Sequence, residues 1–268
     1  MLNNYEKCAF MGKYLWDECG TGRGYAEDNE TKSKYTEVGI VFHEVMEEYQ
    51  KQHKQGNKMS LNELHMLIDS KLDKVEDELF EDLDEKENYR VSLHEQMNWL
   101  YTEQNDIFET VPFGIEQDFN IDLEIDGIKL PFVGCIDRVD LVEGKTIHLK
   151  DWKTGRVYTK KELASNMQAC VYSLAIYKIY GVLPEEFSFY FTKFHKVKTI
   201  KITPLFIETA LKRIKANYDI MMAEVQKPND KNKFFCKHFC EVYKQKGCPN
   251  FRYAKKQNNG WDNVREVK

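Results

Sequence analysis

The feature that most constrains this chain is a change of period at residue 113. From Phe113 to Ile125 and from Ile128 to Leu141, apolar and polar residues alternate on either side of Asp126-Gly127. Strict alternation about an Asp-Gly pair is the signature of a β-hairpin, because both turn positions favour left-handed backbone. A third run, Thr146–Lys153, follows a tight turn at Glu143-Gly144-Lys145, so three strands form a meander. Side chains two apart on a strand share a face, which places Asp151 and Lys153 together, with Asp137 of the neighbouring strand in reach. Two carboxylates and an ammonium at one point suit a divalent cation and a phosphate transition state.

The flanks are helical. Val38, Val41, Phe42, Val45, Met46 and Tyr49 recur at helical spacing between Lys34 and Gln55. Residues 60–110 carry one stripe of Leu61, Leu64, Leu67, Ile68, Leu72, Val75 and Leu79, and a second of Trp99, Leu100, Ile107 and Phe108. Their many charges read as a solvated face. Helices are also expected over 3–18, 161–180 and 204–226, and strands over Phe187–Phe194 and Val197–Ile202. A helix of the length of 161–180 can cross over the sheet, making the next strand parallel. The expectation is an α/β chain, one domain over 1–268 with a core at 34–203 and a helical insertion at 56–110.

Two near-motifs fail. His43-Glu44-Val-Met-Glu47 puts a glutamate where a zinc protease needs its second histidine. Gly20-Thr-Gly22-Arg-Gly24 has no strand before it to make a phosphate loop. A net charge of −5 excludes a uniformly basic nucleic-acid coat, so any such contact needs a local patch. No apolar run is long enough to span a membrane and MLNNYEKCAF has no leader pattern, so the expectation is a cytoplasmic protein with no membrane partner.

Phosphodiester hydrolysis needs an activated water and a site for charge on phosphorus, both supplied by carboxylate-held Mg²⁺ or Mn²⁺. His43, Asp137, Asp151 and the Trp152 carbonyl have suitable donor atoms, and Lys153 can orient or deprotonate the water or stabilise charge. Gln168 and Tyr172 lie one turn apart on the following helix.

Taken together, Gly39-x-x-x-His43, Gly134-x-x-Asp137-Arg-Val-Asp, Asp151-Trp-Lys153-Thr-Gly and Gln168-x-x-x-Tyr172 resemble the RecB-like branch of the PD-(D/E)XK nucleases. The resemblance covers about residues 34–194 and implies a restriction-endonuclease-like α-β-β-β-α-β core with a mixed sheet. It implies that His43, Asp137 and Asp151 bind metal, that Lys153 is catalytic, and that Gln168 and Tyr172 place DNA or the catalytic groups. Glu116 matches a further acidic position.

Of seven cysteines, Cys236, Cys240 and Cys248 cluster near the carboxy terminus. With Cys8 they resemble the iron–sulfur version of this family, as in the AddB nuclease domain and CRISPR-associated exonucleases, including viral relatives. That implies a [4Fe-4S] cluster joining 1–18 to 233–252, with Cys19 as the rival to Cys8 and structural Zn²⁺ as the alternative. Cys135 and Cys170 lie among apolar residues and read as packed. Lys227, Lys231, Lys233, Lys237, Lys244, Lys246, Arg252, Lys255 and Lys256 interleave with Phe234, Phe235, Tyr243 and Phe251, a pattern suiting single-stranded DNA or a solvated face.

The function expected is a metal-dependent DNA exonuclease acting at ends, in recombination, repair or phage DNA processing, with a helicase or recombination partner. A non-catalytic DNA-binding or docking subunit on the same fold stands as the second reading.

Overall fold

A computed structural model describes residues 33–223, Cys236 and Cys240. By internal contacts the chain divides into two compact units, Lys32–Leu211 and Met1–Thr31 with Lys212–Lys268. The first holds nearly all the described elements. Of the second, the description covers Lys212–Ala223 and the two cysteines, both buried.

Helix α1 (Lys34–Lys54) opens the first unit and α2 (Leu61–Leu72) follows, started by a capping box at Ser60 and Glu63. A 3₁₀ turn at Asp77–Leu79 leads to α3 (Leu83–Glu103) and a single turn, α4 (Asp106–Glu109). Three strands come next: β1 (Gly114–Ile125), β2 (Ile128–Val142) and β3 (Thr146–Lys153). Helices α5 (Lys160–Ala164) and α6 (Met167–Tyr180) cross to β4 (Glu186–Phe191), and β5 (Lys196–Lys201) precedes α7 (Pro204–Met222).

The sheet order is β1-β2-β3-β4-β5, antiparallel except for the β3–β4 pair, which is parallel. This is the mixed sheet flanked by helices of a restriction-endonuclease-like α/β fold. Both hairpin turns are left-handed at their two central residues, Asp126-Gly127 and Glu143-Gly144, the geometry that matches strand twist.

The main core lies on one face of the sheet. Val41, Phe42, Val45, Met46 and Tyr49 of α1 meet Leu64, Ile68 and Leu72 of α2, and Leu93, Met97 and Leu100 of α3. Trp152 and Tyr190 contribute from β3 and β4. Burying each such large side chain stabilises by about 1.5–3 kcal/mol, so the charged helical segment shares its core with the strand that bears Asp151.

Two expectations are corrected. Residues 161–180 form two helices, because Asn166 takes an extended backbone and its Oδ1 accepts from Ala169 N at 2.9 Å, capping a new helix. The strand expected to reach Phe194 ends at Phe191: residues 192–194 turn in a 3₁₀ helix, with Thr192 donating to Gln96 across 2.6 Å. Of the expected helix 204–226, the described part ends at Met222, and the 3–18 helix lies outside the described residues.

Candidate metal and catalytic site

The site begins where a ladder stops. Strands β2 and β3 pair from Val142↔Thr146 up to Arg138↔Lys150. One residue beyond, Asp137 Oδ2 accepts the Trp152 N–H at 2.7 Å, so a carboxylate stands in for a backbone carbonyl. The strands diverge there, and His43 of α1 approaches with Nδ1 3.5 Å from Asp137 Oδ2. Gly39 permits this approach: a Cβ there would lie 3.1 Å from Thr154 Oγ1 at the end of β3.

Glu116 joins from β1. It falls between the pairs Ile115↔Arg138 and Gln117↔Ile136, opposite Asp137, with a left-handed φ of 43°. A non-glycine residue in that region inside a strand is strained. Ligand atoms of His43, Glu116 and Asp137 all lie within 4.8 Å of one another. Cys135, expected to be merely packed, donates its thiol to Glu116 Oε2 at 3.2 Å and is half-buried. Glu116 Oε1 is buried with no hydrogen-bond partner among the described residues.

Asp151 is held separately. Gln168 Nε2 donates to its Oδ1 at 2.6 Å, and Lys153 Nζ lies 2.6 Å from Oδ2. The lysine contact is ionic without hydrogen-bond alignment, and Oδ2 has no other donor among the described residues. The Gln168 amide lies beside the Tyr172 hydroxyl and acts to lower its pKa. The Tyr172 ring packs edge-on against Phe119, centroids 5.3 Å apart. Gly134 lies beneath both: a Cβ there would meet Phe119 at 2.7 Å and Tyr172 at 3.4 Å.

Electrostatics follow from this crowding. Burial, then the Asp151 charge, pushes Asp137 well above the usual carboxylate range, against the Trp152 N–H and Lys153. Burial also raises Glu116. His43 is held below the ordinary imidazole value by burial, outweighing the pull of Asp151, so it is neutral at pH 7 and can act as a ligand. Burial would lower Lys153, but Asp151 outweighs it and keeps the ammonium charged. Tyr172 is pushed up to about 12 by burial.

Glu116 Oε1, unpaired among the described residues, and Asp151 Oδ2, met only by the Lys153 charge, are costly to bury beside a neutral imidazole unless a cation joins them. The donor set, one nitrogen and several carboxylate oxygens, fits Mg²⁺ or Mn²⁺. A cleft of about 450 Å3 opens beside His43 and Glu116, lined also by Tyr35, Gly39, Ile40 and Thr154.

The family model of the PD-(D/E)XK nuclease superfamily matches residues 1–245. The chain belongs to the PD-(D/E)XK nuclease superfamily. No curated protein matches it significantly. PD-(D/E)XK nucleases use divalent metals and act on DNA, which fits the donor set above.

Among the residues singled out from sequence, the structure brings His43, Asp137, Asp151, Lys153, Gln168, Tyr172 and the Trp152 backbone to the point where the β2–β3 ladder ends. The trio with mutually close ligand atoms contains Glu116 in place of Asp151. Spacing does not reveal Glu116, since it depends on cross-strand register and an unusual φ. Cys236 and Cys240 are buried, while Cys8, Cys19, Cys248 and the basic stretch around them lie outside the described residues. No helix among the described residues is long and apolar enough to cross a membrane.

Proposed function

We propose that this PD-(D/E)XK protein is a metal-dependent DNA exonuclease of the RecB-like, iron–sulfur type, acting at DNA ends in recombination, repair or phage DNA processing. One observation carries the catalytic reading: the ligand atoms of His43, Glu116 and Asp137 converge within 4.8 Å beside the Asp151–Lys153 pair. His43, Asp137, Asp151 and the Trp152 carbonyl, joined by Glu116, would hold Mg²⁺ or Mn²⁺. A bound divalent cation supplies Lewis acidity at the phosphate and lowers the pKa of water.

The rest is the work of the chain. Lys153, kept protonated by Asp151, places a positive charge and hydrogen-bond donors where negative charge develops on phosphate oxygens. Gln168 fixes the Asp151 carboxylate, and Tyr172 lies beside Gln168. For the termini, the proposal is that Cys8, Cys236, Cys240 and Cys248 hold a [4Fe-4S] cluster.

The test is purified full-length protein on end-labelled single- and double-stranded DNA, with Mg²⁺ against Mn²⁺. Progressive shortening that Asp151→Ala abolishes is expected; robust cleavage surviving both Asp151→Ala and Lys153→Ala would sink the site assignment. DNA binding without cleavage under any divalent metal would favour a docking subunit. Anaerobically prepared protein should be brown and lose colour in Cys236→Ala; stoichiometric zinc without iron overturns the cluster.

A further inference from the structure

The parallel β3–β4 pair and the antiparallel β4–β5 pair are in full register at the site end of the sheet. Lys153 pairs with Phe191, and Phe191 with Lys196; Asp151 pairs with Phe189, and Phe189 with Lys198. Directly paired residues share a face, so Lys196 and Lys198 stand on the face of Asp151 and Lys153, two strands away. Val197, between them, turns to the opposite face and packs on the helical core with Trp152 and Tyr190.

Lys196 is exposed and Lys198 half-buried, and neither ammonium pairs with a carboxylate among the described residues. The ground between them and Lys153 is aromatic. Phe189 and Phe191 are fully buried under Tyr158, whose ring meets theirs edge-on at centroid distances of 5.2 and 5.1 Å. Two strand spacings are about 10 Å, roughly three base steps of duplex rise and fewer of an extended single strand.

We propose that Lys196 and Lys198 bind the phosphodiester backbone of the DNA strand whose scissile phosphate lies at Asp151 and Lys153, fixing the direction in which that strand leaves the site across β4 and β5. The proposal rests on the nuclease reading and adds the path of the substrate. Lysines on an edge strand also deter strand-to-strand pairing, and that role would not depend on which face they occupy. Lys201 offers the contrast: it is exposed on the same strand, on the opposite face.

The experiment uses full-length protein with fluorescein-labelled oligothymidylate and a labelled duplex, Ca²⁺ replacing Mg²⁺ to hold off cleavage, and affinity read across a salt series. The pair Lys196→Gln plus Lys198→Gln should weaken binding about tenfold at low salt. It should also flatten the salt dependence by about 0.7 per lysine on single strands and nearer 1 on duplex. The glutamate pair should do more, and Lys201→Glu should leave both readouts at the wild-type value. Equal losses from Lys201→Glu and the Lys196/Lys198 pair would overturn the path, as would unchanged DNA affinity in a folded glutamine pair, including one that self-associates. Wild-type protein that binds and cuts while the pair has no effect refutes the path alone. Wild-type protein that neither binds nor cuts either DNA refutes the nuclease reading and the path together.

Discussion

Asp137 and Arg138 are chain neighbours on β2, and they face opposite ways into opposite kinds of environment. Arg138 is fully buried and each of its three guanidinium nitrogens has an acceptor: Nε meets Asp140 at 2.8 Å, and its two terminal nitrogens donate to the Ile107 and Thr110 carbonyls, each at 2.8 Å. Lys150 closes the network, 3.0 Å from both Asp140 and Asp106. On the other face, Glu116, Asp137 and Asp151 crowd three carboxylates together, with Glu116 Oε1 unpaired among the described residues. The network ties α4 to the sheet and serves structure. The carboxylate cluster costs stability, and such costs persist at sites where a ligand relieves them.

The comparison breaks most visibly at Arg138. Arg138→Met should leave Asp140 with Lys150 alone and the Ile107 and Thr110 carbonyls unanswered, destabilising by about 3–5 kcal/mol in chemical denaturation. A loss below 1 kcal/mol would mean that the network is no scaffold. Lys153→Gln, on the opposite face, should lower the cleavage rate about 10³-fold, about 4 kcal/mol of barrier, while the melting temperature stays within a degree or two. Gly134→Ala sits between these cases, because its Cβ would lie 2.7 Å from Phe119 and must push that ring, which packs edge-on against Tyr172. A loss of about 1–3 kcal/mol is expected, with activity falling further than stability because the displaced Phe119 packs on Tyr172, one turn from the Gln168 that holds Asp151.

The smallest effect has the opposite sign. Asp137→Asn should raise the melting temperature of metal-free protein by a few degrees, about 1 kcal/mol, by removing one of the crowded charges. Its folded pKa is raised, so the folded state favours the protonated carboxyl. That contribution is complete below about pH 4, the ordinary carboxylate value, and is lost as pH rises through the raised folded value. Thermal stabilisation by Mg²⁺ should therefore grow over that window in wild-type protein and grow less in Asp137→Asn, where Glu116 is the remaining raised carboxyl of the trio. Scanning fluorimetry across pH, with and without Mg²⁺, reads both.

What was legible in the sequence is what is local. Asp126-Gly127 and Glu143-Gly144 announce their turns because left-handed backbone is needed at consecutive positions, and alternation then sets which side chains share a face. The helical stripes of α1 and α2 were equally plain. The break at Asn166 was not, because an asparagine can cap a helix or ride on one, and only its bond to Ala169 N distinguishes the two. The anchoring role of Arg138 was not legible, since its backbone acceptors lie 31 and 28 residues away. Glu116 and the Cys135 thiol enter the site through register across β1 and β2, which no pattern along one strand can display.

The restart at Asn166 has a consequence for charge. Gln168 is the second residue of α6, so the carboxylate it holds, Asp151, lies at the amino end of a 14-residue helix. Aligned peptide dipoles present partial positive charge there, worth about 0.3–1 kcal/mol to an anion and more where burial limits screening. An uninterrupted helix from 161 would have set Gln168 two turns inside, where that field has faded. The two-residue interruption thus supplies Asp151 with a positive partner built entirely from backbone, one that neither titrates nor dissociates.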